Sequence, residues 1–521
     1  MPRITRRQMV ITFGLMMGLF LAALEGTVVS TAMPTIVAQL GGLEVYSWVF
    51  SIYMLASTTT IPIFGRLSDL YGRKPIYYLG VTLFLAGSVL SGQAQNMTQL
   101  ILFRALQGTG AGALMPVTFT IIGDIFSLEQ RARMQGFFSS VWGISSVIGP
   151  LVGGFLVDNV SWRWVFYLNL PFGLLAVGLL ALVLHEPLKH REPGTVDYRG
   201  AALLVAAVLS LLYALLQGGR AYAWTDPRTL GLLGFAAAAL AAFVWIERRA
   251  AHPLIPLDMF GDRLFAIAMG HEFLAGFAVF GVIAYIPLFV QGALGTSATR
   301  AGATLTPMSV VWGLGSVLAG ALLLRHGPAR LVIAGTLSLL GGASLLALLD
   351  ERSSQLVAAG AMALMGFGMG LVLTSFLVSV QNRVPSRRMG VATGSLQFIS
   401  QIGGTVGVSV LGAVMSARLS RGLASLPGGA GVDPVMLLDR SSTVELPAAV
   451  DAAFQSLLAE ALHPAFLLTL GVAALALGVA LLTPRGTLAQ LEQSELARLG
   501  ARETMPHVAV AAPAKVKRSR R

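Results

Sequence analysis

The chain has 521 residues, of which 55% are apolar and 12% are charged, and its mean hydropathy is +0.75. Soluble proteins average about 25% charged residues, so this composition excludes an ordinary soluble fold. The net charge of +12 does not indicate nucleic-acid binding, because the basic residues lie in short clusters between apolar runs and in the C-terminal tail. The absence of cysteine excludes disulfides and cysteine metal sites, and we expect no metal site.

Fourteen apolar stretches follow one another along the chain. A helix of about 20 apolar residues crosses the hydrocarbon core, whereas the strands of a membrane barrel are about ten residues long and alternate. We therefore predict an all-α polytopic membrane protein. The predicted spans are 9–31, 46–65, 76–93, 98–122, 134–157, 162–184, 200–218, 229–247, 264–290, 301–324, 331–349, 355–380, 390–415 and 463–483.

The basic residues predict an orientation. Most of the 36 Lys and Arg residues fall in every second gap between apolar stretches, together with the two tails. Basic residues resist translocation, so these gaps and both termini are placed in the cytoplasm, and the protein is placed in the cytoplasmic (inner) membrane. Arg3, Arg6 and Arg7 imitate a signal peptide, but the run that follows is too long, and we predict that it stays as the first helix.

Two long gaps interrupt the short loops and suggest how the chain is divided. Residues 185–199 are rich in charge and proline, and 416–462 form an external stretch that contains Pro427 and Pro434. The stretch 126–136 is echoed by 382–390, which suggests two related halves, although chance similarity of two basic loops is the alternative. The predicted division is a six-helix bundle at 1–184, a linker with two lipid-facing inserted helices at 185–263, a second six-helix bundle at 264–483 with the external loop 416–462, and a cytoplasmic tail at 484–521.

One loop carries a specific pattern of glycines and charges. The stretch 65–75, Gly-Arg-Leu-Ser-Asp-Leu-Tyr-Gly-Arg-Lys-Pro, resembles the signature loop of the major facilitator superfamily. The stretch 102–110 in the fourth span is similar to a further motif of that superfamily. The resemblance implies a conformational latch at the membrane surface. Its expected residues are Gly65, Asp69, Gly72, Arg73 and Arg131.

Further motifs narrow the resemblance to exporters. The fifth span resembles the antiporter motif, in which a Gly-Pro pair loosens the helix; a plain small-residue packing seam is the alternative. The stretches 24–34 and 285–302 are similar to the fourteen-span drug:proton antiporters of the EmrB/QacA type, with Glu25 in place of the usual Asp. The second-half counterpart of the signature loop, 325–330, has no acidic residue. The expected hinge residues are Gly143, Gly149, Pro150, Gly153 and Gly154.

Three charged residues lie deep inside predicted spans: Glu25, Glu272 and Arg104. An ionised side chain at the bilayer centre costs on the order of 3 kcal/mol, so such residues usually face a cavity and have a function. We predict that the two acids and the arginine couple transport to protons, with Glu25 as one possible partner of Arg104. The alternative for each acid is a neutral group that only bonds to a neighbouring helix.

Apolar and aromatic walls with a few polar anchors suit amphiphilic substrates. The candidate substrate-binding residues are Trp48, Tyr53, Trp142, Phe277, Phe280, Gln291, Trp312, Phe376, Gln397, Phe398 and Gln401. The alternative is that these side chains face lipid or other helices.

The predicted function is proton-coupled efflux of amphiphilic cationic drugs by alternating access. The alternative substrate is an endogenous lipid or metabolite. An enzyme or ATP-driven pump is not expected, since the chain has no phosphate-binding Gly-x-x-x-x-Gly-Lys-Ser/Thr loop and no His-Glu-x-x-His pattern. We expect no cofactor besides the proton gradient, a small substrate and the lipid bilayer as partners, and a monomer.

Overall fold

A computed structural model describes residues 5–41, 45–184, 197–218, 222–250, 253–296, 298–425, 448–488 and 490. Long helices account for most of these ranges, which contain no strand. In chain order the helices are α1 (Arg6–Leu40), α2 (Tyr46–Tyr71), α3 (Arg73–Gly92), α4 (Met97–Ile125), α5 (Leu128–Asn159), α6 (Arg163–Tyr167), α7 (Asn169–Val183), α8 (Tyr198–Gln217), α9 (Pro227–Glu247), α10 (Arg263–Leu288), α11 (Ala298–Ala347), α12 (Gln355–Arg383), α13 (Met389–Ser425) and α14 (Ala448–Leu481).

Polar side chains set where many of these helices begin. Thr5 and Gln8 form a capping box at α1, and Ser127 and Gln130 form another at α5. Asp262 caps α10 by accepting the backbone N–H groups of its first turn. Such residues satisfy the N–H groups that a helix start leaves without a partner, so the boundaries follow from local sequence.

The helices confirm the all-α membrane fold, and each of the fourteen predicted spans overlaps a helix. Twelve helices within the described ranges are long and apolar enough to cross a membrane. One of them, at 300–347, covers two predicted spans that join at Gly327, where φ is 75°. The sixth predicted span is divided between α6 and α7.

Several helices extend beyond the predicted spans, most clearly around the predicted external loop 416–462. Its two ends are helical, because α13 continues to Ser425 and α14 begins at Ala448. Hydropathy detects the part of a helix that matches the bilayer core, and it misses polar turns that continue the same helix into the interface. Residues 426–447, the linker residues 185–196 and most of the tail lie outside the described residues.

The helix contacts form two bundles. In the first, α1 packs on α5 and α7, and α4 packs on α2 and α3; in the second, α10 packs on α13, α11 on α12, and α14 on α10, α11 and α13. The bundles meet along α2 with α13 and along α5 with α11. The inserted helices α8 and α9 pack on each other, and α8 also contacts α2. Leu204 and Val208 of α8 are buried, whereas Phe235 and Trp245 of α9 are exposed.

Hydrogen bonds between loops and helix ends identify one face of the molecule, which we call the terminal face. The Gln8 side chain donates to the carbonyl oxygen of Ile125 at 2.9 Å, and Arg263 donates to that of Leu482 at 3.0 Å. The start of α1, the ends of α4 and α14 and the start of α10 therefore share this face.

Candidate functional site

Glu25 is buried in the first bundle and is paired with Arg104. The carboxylate on α1 is 2% exposed and the guanidinium on α4 is 1% exposed. Arg104 Nη1 donates to Glu25 Oε1, and the Asn169 amide on α7 donates to Glu25 Oε2 at 2.7 Å. Both carboxylate oxygens thus have a donor. This satisfies the requirement that a buried charge be paired and hydrogen-bonded.

Other polar groups extend this pair into a network. Arg104 also donates to Gln107 Oε1 at 2.8 Å and to the carbonyl oxygen of Val49 at 3.3 Å. Its guanidinium lies 4.3 Å from the ring centroid of Tyr53 on α2, within the range of a cation–π contact. The network therefore links α1, α2, α4 and α7 around one ion pair.

Ser88 of α3 closes the network on its far side. Its hydroxyl accepts from Asn169 Nδ2 at 2.8 Å and from Gln107 Nε2 at 3.3 Å, and it donates to the carbonyl oxygen of Phe166 at 2.8 Å. Glu25, predicted from the sequence as one possible partner of Arg104, forms an ion pair with it in the structure. Sequence reasoning missed Ser88, Gln107 and Asn169, because uncharged polar residues are common in spans and the direction of their side chains does not follow from spacing alone.

Glu272 of the second bundle has a very different environment. It is fully buried on α10, and neither carboxyl oxygen makes a hydrogen bond of full geometry with a described residue, although the Ser400 side chain is a polar neighbour. No cation is paired with it in the described ranges. The adjacent His271 turns away and bonds through Nε2 to the Thr336 hydroxyl at 2.8 Å.

The helices beside α10 carry several further polar groups without partners. These are buried side chains on α12 and α13 whose polar atoms have no hydrogen-bond partner among the described residues: Thr374, Ser375, Ser379, Ser395 and Gln397. Buried polar groups of this kind generally bind ordered water. The second bundle thus contains buried polar groups that can hold water, in contrast to the closed network around Glu25.

Asp69 joins the two bundles at the terminal face. It is fully buried at the end of α2, and its two oxygens accept the backbone N–H groups of Gly390 at 2.9 Å and Val391 at 2.8 Å. These N–H groups belong to the first turn of α13. Asp69 thus caps a helix of the other bundle, where the helix dipole also favours a negative charge.

Glycine permits this contact. A Cβ at Gly65 would lie 2.7 Å from the carbonyl oxygen of Gly390, and a Cβ at Gly390 would lie 2.8 Å from Asp69 Oδ1. Both distances are far below normal contact, so neither position admits a larger residue without moving the helices apart. The two predicted latch positions Gly65 and Asp69 therefore meet at one contact between bundles.

Arg73, which follows the turn at Gly72, contacts both Asp69 and the second bundle. Its guanidinium lies 2.6 Å from Asp69 Oδ1 and 3.0 Å from Asp124 Oδ2, and it also donates to the carbonyl oxygens of Ser68 and Ser386. Ser386 belongs to the second bundle, so Arg73 also bridges the halves. The sequence did not predict that Asp124, at the end of α4, completes the arrangement.

The remaining latch residues have local roles. Gly72 has φ of 101°, a conformation that favours glycine, and it lets α3 begin directly after α2. Arg131 donates through Nε to the carbonyl oxygen of Phe126 at 2.9 Å and interacts electrostatically with Asp124. It therefore borders the latch through Asp124 and forms no hydrogen bond to the other bundle in the described ranges.

The predicted hinge lies on α5, which runs as one helix from Leu128 to Asn159. Gly153 packs against α1, where an added Cβ would meet the Thr31 hydroxyl and would lie 3.1 Å from the carbonyl oxygen of Val28. Gly149 is buried and Gly154 faces open space. The surroundings of Gly143 and Pro150 lie outside the described side chains. Gly153 thus lets α5 pack closely against α1, which is expected both of the hinge and of a plain small-residue packing seam.

The candidate substrate residues lie in different surroundings along the two bundles. In the first bundle, Tyr53 joins the Arg104 network and Trp142 is 42% exposed on α5. The Trp48 ring lies 5.5 Å from that of Tyr213 on the inserted helix α8, and Phe398 of α13 packs in the same apolar cluster. These two rings therefore contact the inserted pair.

The second-bundle candidates are mostly packed between helices. Phe376 is fully buried with its ring 5.4 Å from His271, and Phe277 is 7% exposed against α13 and α14. The Phe280 ring packs against Gly404. The polar and half-buried candidates lie along α10, α11 and α13 or at their ends: Gln291, Trp312, Gln397 and Gln401.

Two contacting bundles of long apolar helices, with an ion pair buried inside one of them, are an architecture typical of a multi-pass membrane transporter. The sequence profile of the Major Facilitator Superfamily matches residues 15–408, and the chain belongs to that superfamily. It is 42% identical to the multidrug transporter protein MdtP of Bacillus subtilis (strain 168) over 414 residues, which cover 80% of this chain and 76% of that protein.

Two other comparisons agree. The chain is 37% identical to multidrug resistance protein 3 of Bacillus subtilis (strain 168) over 451 residues, which cover 84% of this chain and 88% of that protein. The human organic anion transporter MFSD10 (TETRAN) superposes with a TM-score of 0.60 at 16% identity, covering 90% of this chain and 100% of that one. At that identity the superposition supports the shared fold alone.

Proposed function

We propose that the protein exports amphiphilic cationic drugs in exchange for protons by alternating access, as a fourteen-span antiporter. The observation that carries the proposal is the Glu25 network: a carboxylate buried at 2% exposure, held by Arg104 and Asn169. The multidrug relatives support the drug substrate.

Glu25 is the residue on which proton and substrate would compete. A proton on its carboxyl group removes the charge that pairs with Arg104, so protonation and the ion pair exclude each other. A cationic substrate would need the same negative charge. One carboxylate can therefore hold either a proton or a cation, and that exclusivity is what antiport requires.

Glu272 has a second role in the proposal. A carboxyl group buried without a cation is stable chiefly in its neutral form, so in this conformation Glu272 holds a proton. Its polar neighbour is Ser400, and the unpartnered Ser375 and Ser379 side chains on α12 are further polar sites for water in the same bundle. Glu272 would release its proton when the second bundle becomes hydrated.

We assign this conformation to one stage of the transport cycle from the contact between Asp69 and α13. The terminal face contains the basic loops that the sequence assigns to the cytoplasm of an inner membrane, and Asp69 and Arg73 join the bundles there. The conformation is therefore the one closed to the cytoplasm. Separation of α2 from α13 would open the cytoplasmic side.

The decisive experiment is ethidium transport by the full chain in ATP-free proteoliposomes with an imposed pH gradient. We expect Glu25→Gln to fold normally but to abolish proton-driven ethidium transport and the accompanying collapse of the gradient. Glu351→Gln, which changes an acid 39% exposed in a loop, is the matched control and should transport normally.

The possible outcomes separate the parts of the proposal. Unchanged proton-driven transport by Glu25→Gln would falsify the assigned role of Glu25. Transport by the wild-type protein that needs ATP and ignores the gradient would exclude antiport. Glu25-dependent proton flux that no cationic dye drives would replace the drug with an endogenous lipid or metabolite as substrate.

A further inference from the structure

A cavity opens at the terminal face of the second bundle, where the two parts of α11 meet the segment that follows α14. Its volume is about 340 Å³. Water occupies about 30 Å³ per molecule in the liquid, so the cavity is much larger than a single ordered water needs. The residues that line it are Arg325, His326, Ala329, Arg330, Ile333, Arg485, Gly486, Thr487 and Gln490.

The lining is strongly basic. Arg325, Arg330 and Arg485 line the cavity together with His326, and no acidic residue is among the lining residues. None of the three arginines forms an ion pair with a residue in the described ranges. Three guanidinium groups around one cavity repel one another unless an anion lies between them.

The backbone adds donors to the same site. Gly327 has φ of 75°, which ends the first part of α11 and lets the second part begin at Pro328. Gly327 is pressed against the carbonyl oxygen of Gly486, which fixes this turn beside the segment after α14. The N–H groups of the new helix start, at Ala329 and beyond, lack intrahelical acceptors, and such helix starts bind anions.

The turn at Gly72 in the first bundle is the counterpart of the turn at Gly327, and it has acidic partners that the cavity lining lacks. There Gly72 takes the same left-handed conformation, with φ of 101°, and Arg73 follows it directly. Arg73 is neutralised by Asp69 at 2.6 Å and by Asp124 at 3.0 Å. In the second bundle no acid lines the cavity that takes this place, so its three exposed arginines can be neutralised by an anion from outside the described residues.

We propose that this cavity binds a phosphate-bearing anion, with Arg325, Arg330 and Arg485 as its principal ligands. Arginine presents its N–H groups in a planar fork that matches phosphate oxygens in pairs, and a helix start and the Thr487 hydroxyl provide further donors. The anion is either the headgroup of an anionic phospholipid or free phosphate, and the position at the membrane surface suits the headgroup. The inference does not depend on the proposed drug substrate.

The test uses the purified full chain in detergent and two probes, inorganic phosphate and short-chain phosphatidylglycerol, with short-chain phosphatidylcholine as the uncharged comparison. Binding is measured by titration and by the shift in unfolding temperature. We expect at least one anionic probe to bind and stabilise the wild-type protein. The double variant Arg325→Gln/Arg330→Gln should lose about tenfold or more in affinity, because it loses two charge-assisted contacts.

Arg248→Gln is the matched control, since Arg248 is an exposed arginine at the end of α9, outside the cavity. Its affinity should equal that of the wild-type protein. Stabilisation by phosphatidylglycerol alone identifies the headgroup as the source, and equal stabilisation by phosphate identifies the free ion. The proposal is overturned if neither phosphate nor phosphatidylglycerol binds the wild-type protein. It is also overturned if the double variant binds the anionic probe with the same affinity as the wild-type protein.

Discussion

The carboxylate of Asp69 receives the backbone N–H of Gly390 at 2.9 Å, although the two residues are 321 positions apart in sequence. One bundle thus supplies the N-cap for a helix of the other. The bond joins a side chain to main-chain groups, and Arg73 holds the same carboxylate at 2.6 Å. The charge of Asp69 therefore stabilises the contact between the bundles at the terminal face, together with the bond from Arg73 to Ser386.

Replacing that charge should weaken closure. Asp69→Asn keeps the shape but loses one acceptor and the ion pair, and each charge-assisted bond contributes about 1.5–3 kcal/mol. We expect a single cysteine at Ile61, a position on α2 that is only 3% exposed, to react with a maleimide at least about tenfold faster in the Asp69→Asn background. The natural chain has no cysteine, so the label reports one site. Asp350→Asn, at an exposed loop, is the control, and an unchanged labelling rate would refute the latch.

Gly390 should tolerate no side chain. An added Cβ would meet the carbonyl oxygen of Gly65 and would lie 2.8 Å from Asp69 Oδ1, so Gly390→Ala must push α13 away from α2. Overpacking of this kind costs about 1–3 kcal/mol, and we expect a lower unfolding temperature and reduced transport. Gly478→Ala on α14 meets open space and should leave both unchanged. Equal behaviour of the two variants would contradict the close contact.

The Glu25–Arg104 pair should show strong energetic coupling. Arg104→Gln leaves a buried carboxylate without its cation, and breaking a buried pair costs about 3–5 kcal/mol. The double variant Glu25→Gln/Arg104→Gln leaves neither charge unpaired, so its loss of stability should be smaller than the sum of the two single losses. Chemical unfolding of the four proteins in detergent measures this coupling. Additive losses would mean that the two groups act independently.

Asn169 should matter because it orients Glu25. Asn169→Ala removes the 2.7 Å bond to Glu25 and the 2.8 Å bond to Ser88. Ser88 keeps its bonds to Gln107 and Phe166, but Glu25 Oε2 loses its donor, at a cost of about 1–3 kcal/mol. We expect proton-driven ethidium transport to fall by about tenfold or more. The comparison is Asn159→Ala, since Asn159 is exposed and donates to the carbonyl oxygen of Phe155 in its own helix. If transport falls by a similar, modest factor in both variants, Asn169 has no specific role in orienting Glu25.

The sequence was informative wherever the bilayer itself imposes the pattern. Apolar length located the helices, and the expense of charge in lipid singled out Glu25, Arg104 and Glu272. Asn169 was missed because an amide in a span carries no such expense, and its contact with Glu25 joins residues 144 positions apart. Hydropathy also did not predict that Phe376 is buried beside His271, since an aromatic ring can line a cavity or pack between helices equally well.

The main-chain nature of the Asp69 contact has a consequence for how this protein tolerates variation. Substituting most side chains at the start of α13 leaves the N–H groups of Gly390 and Val391 in place, so that half of the gate survives changes of residue type. The sensitive positions are the single acid and the glycines on both helices that let it approach, Gly65 on α2 and Gly390 on α13. Mutations that alter transport through this contact should therefore cluster at Asp69, Gly65 and Gly390, while the other positions at the start of α13 should accept more substitutions.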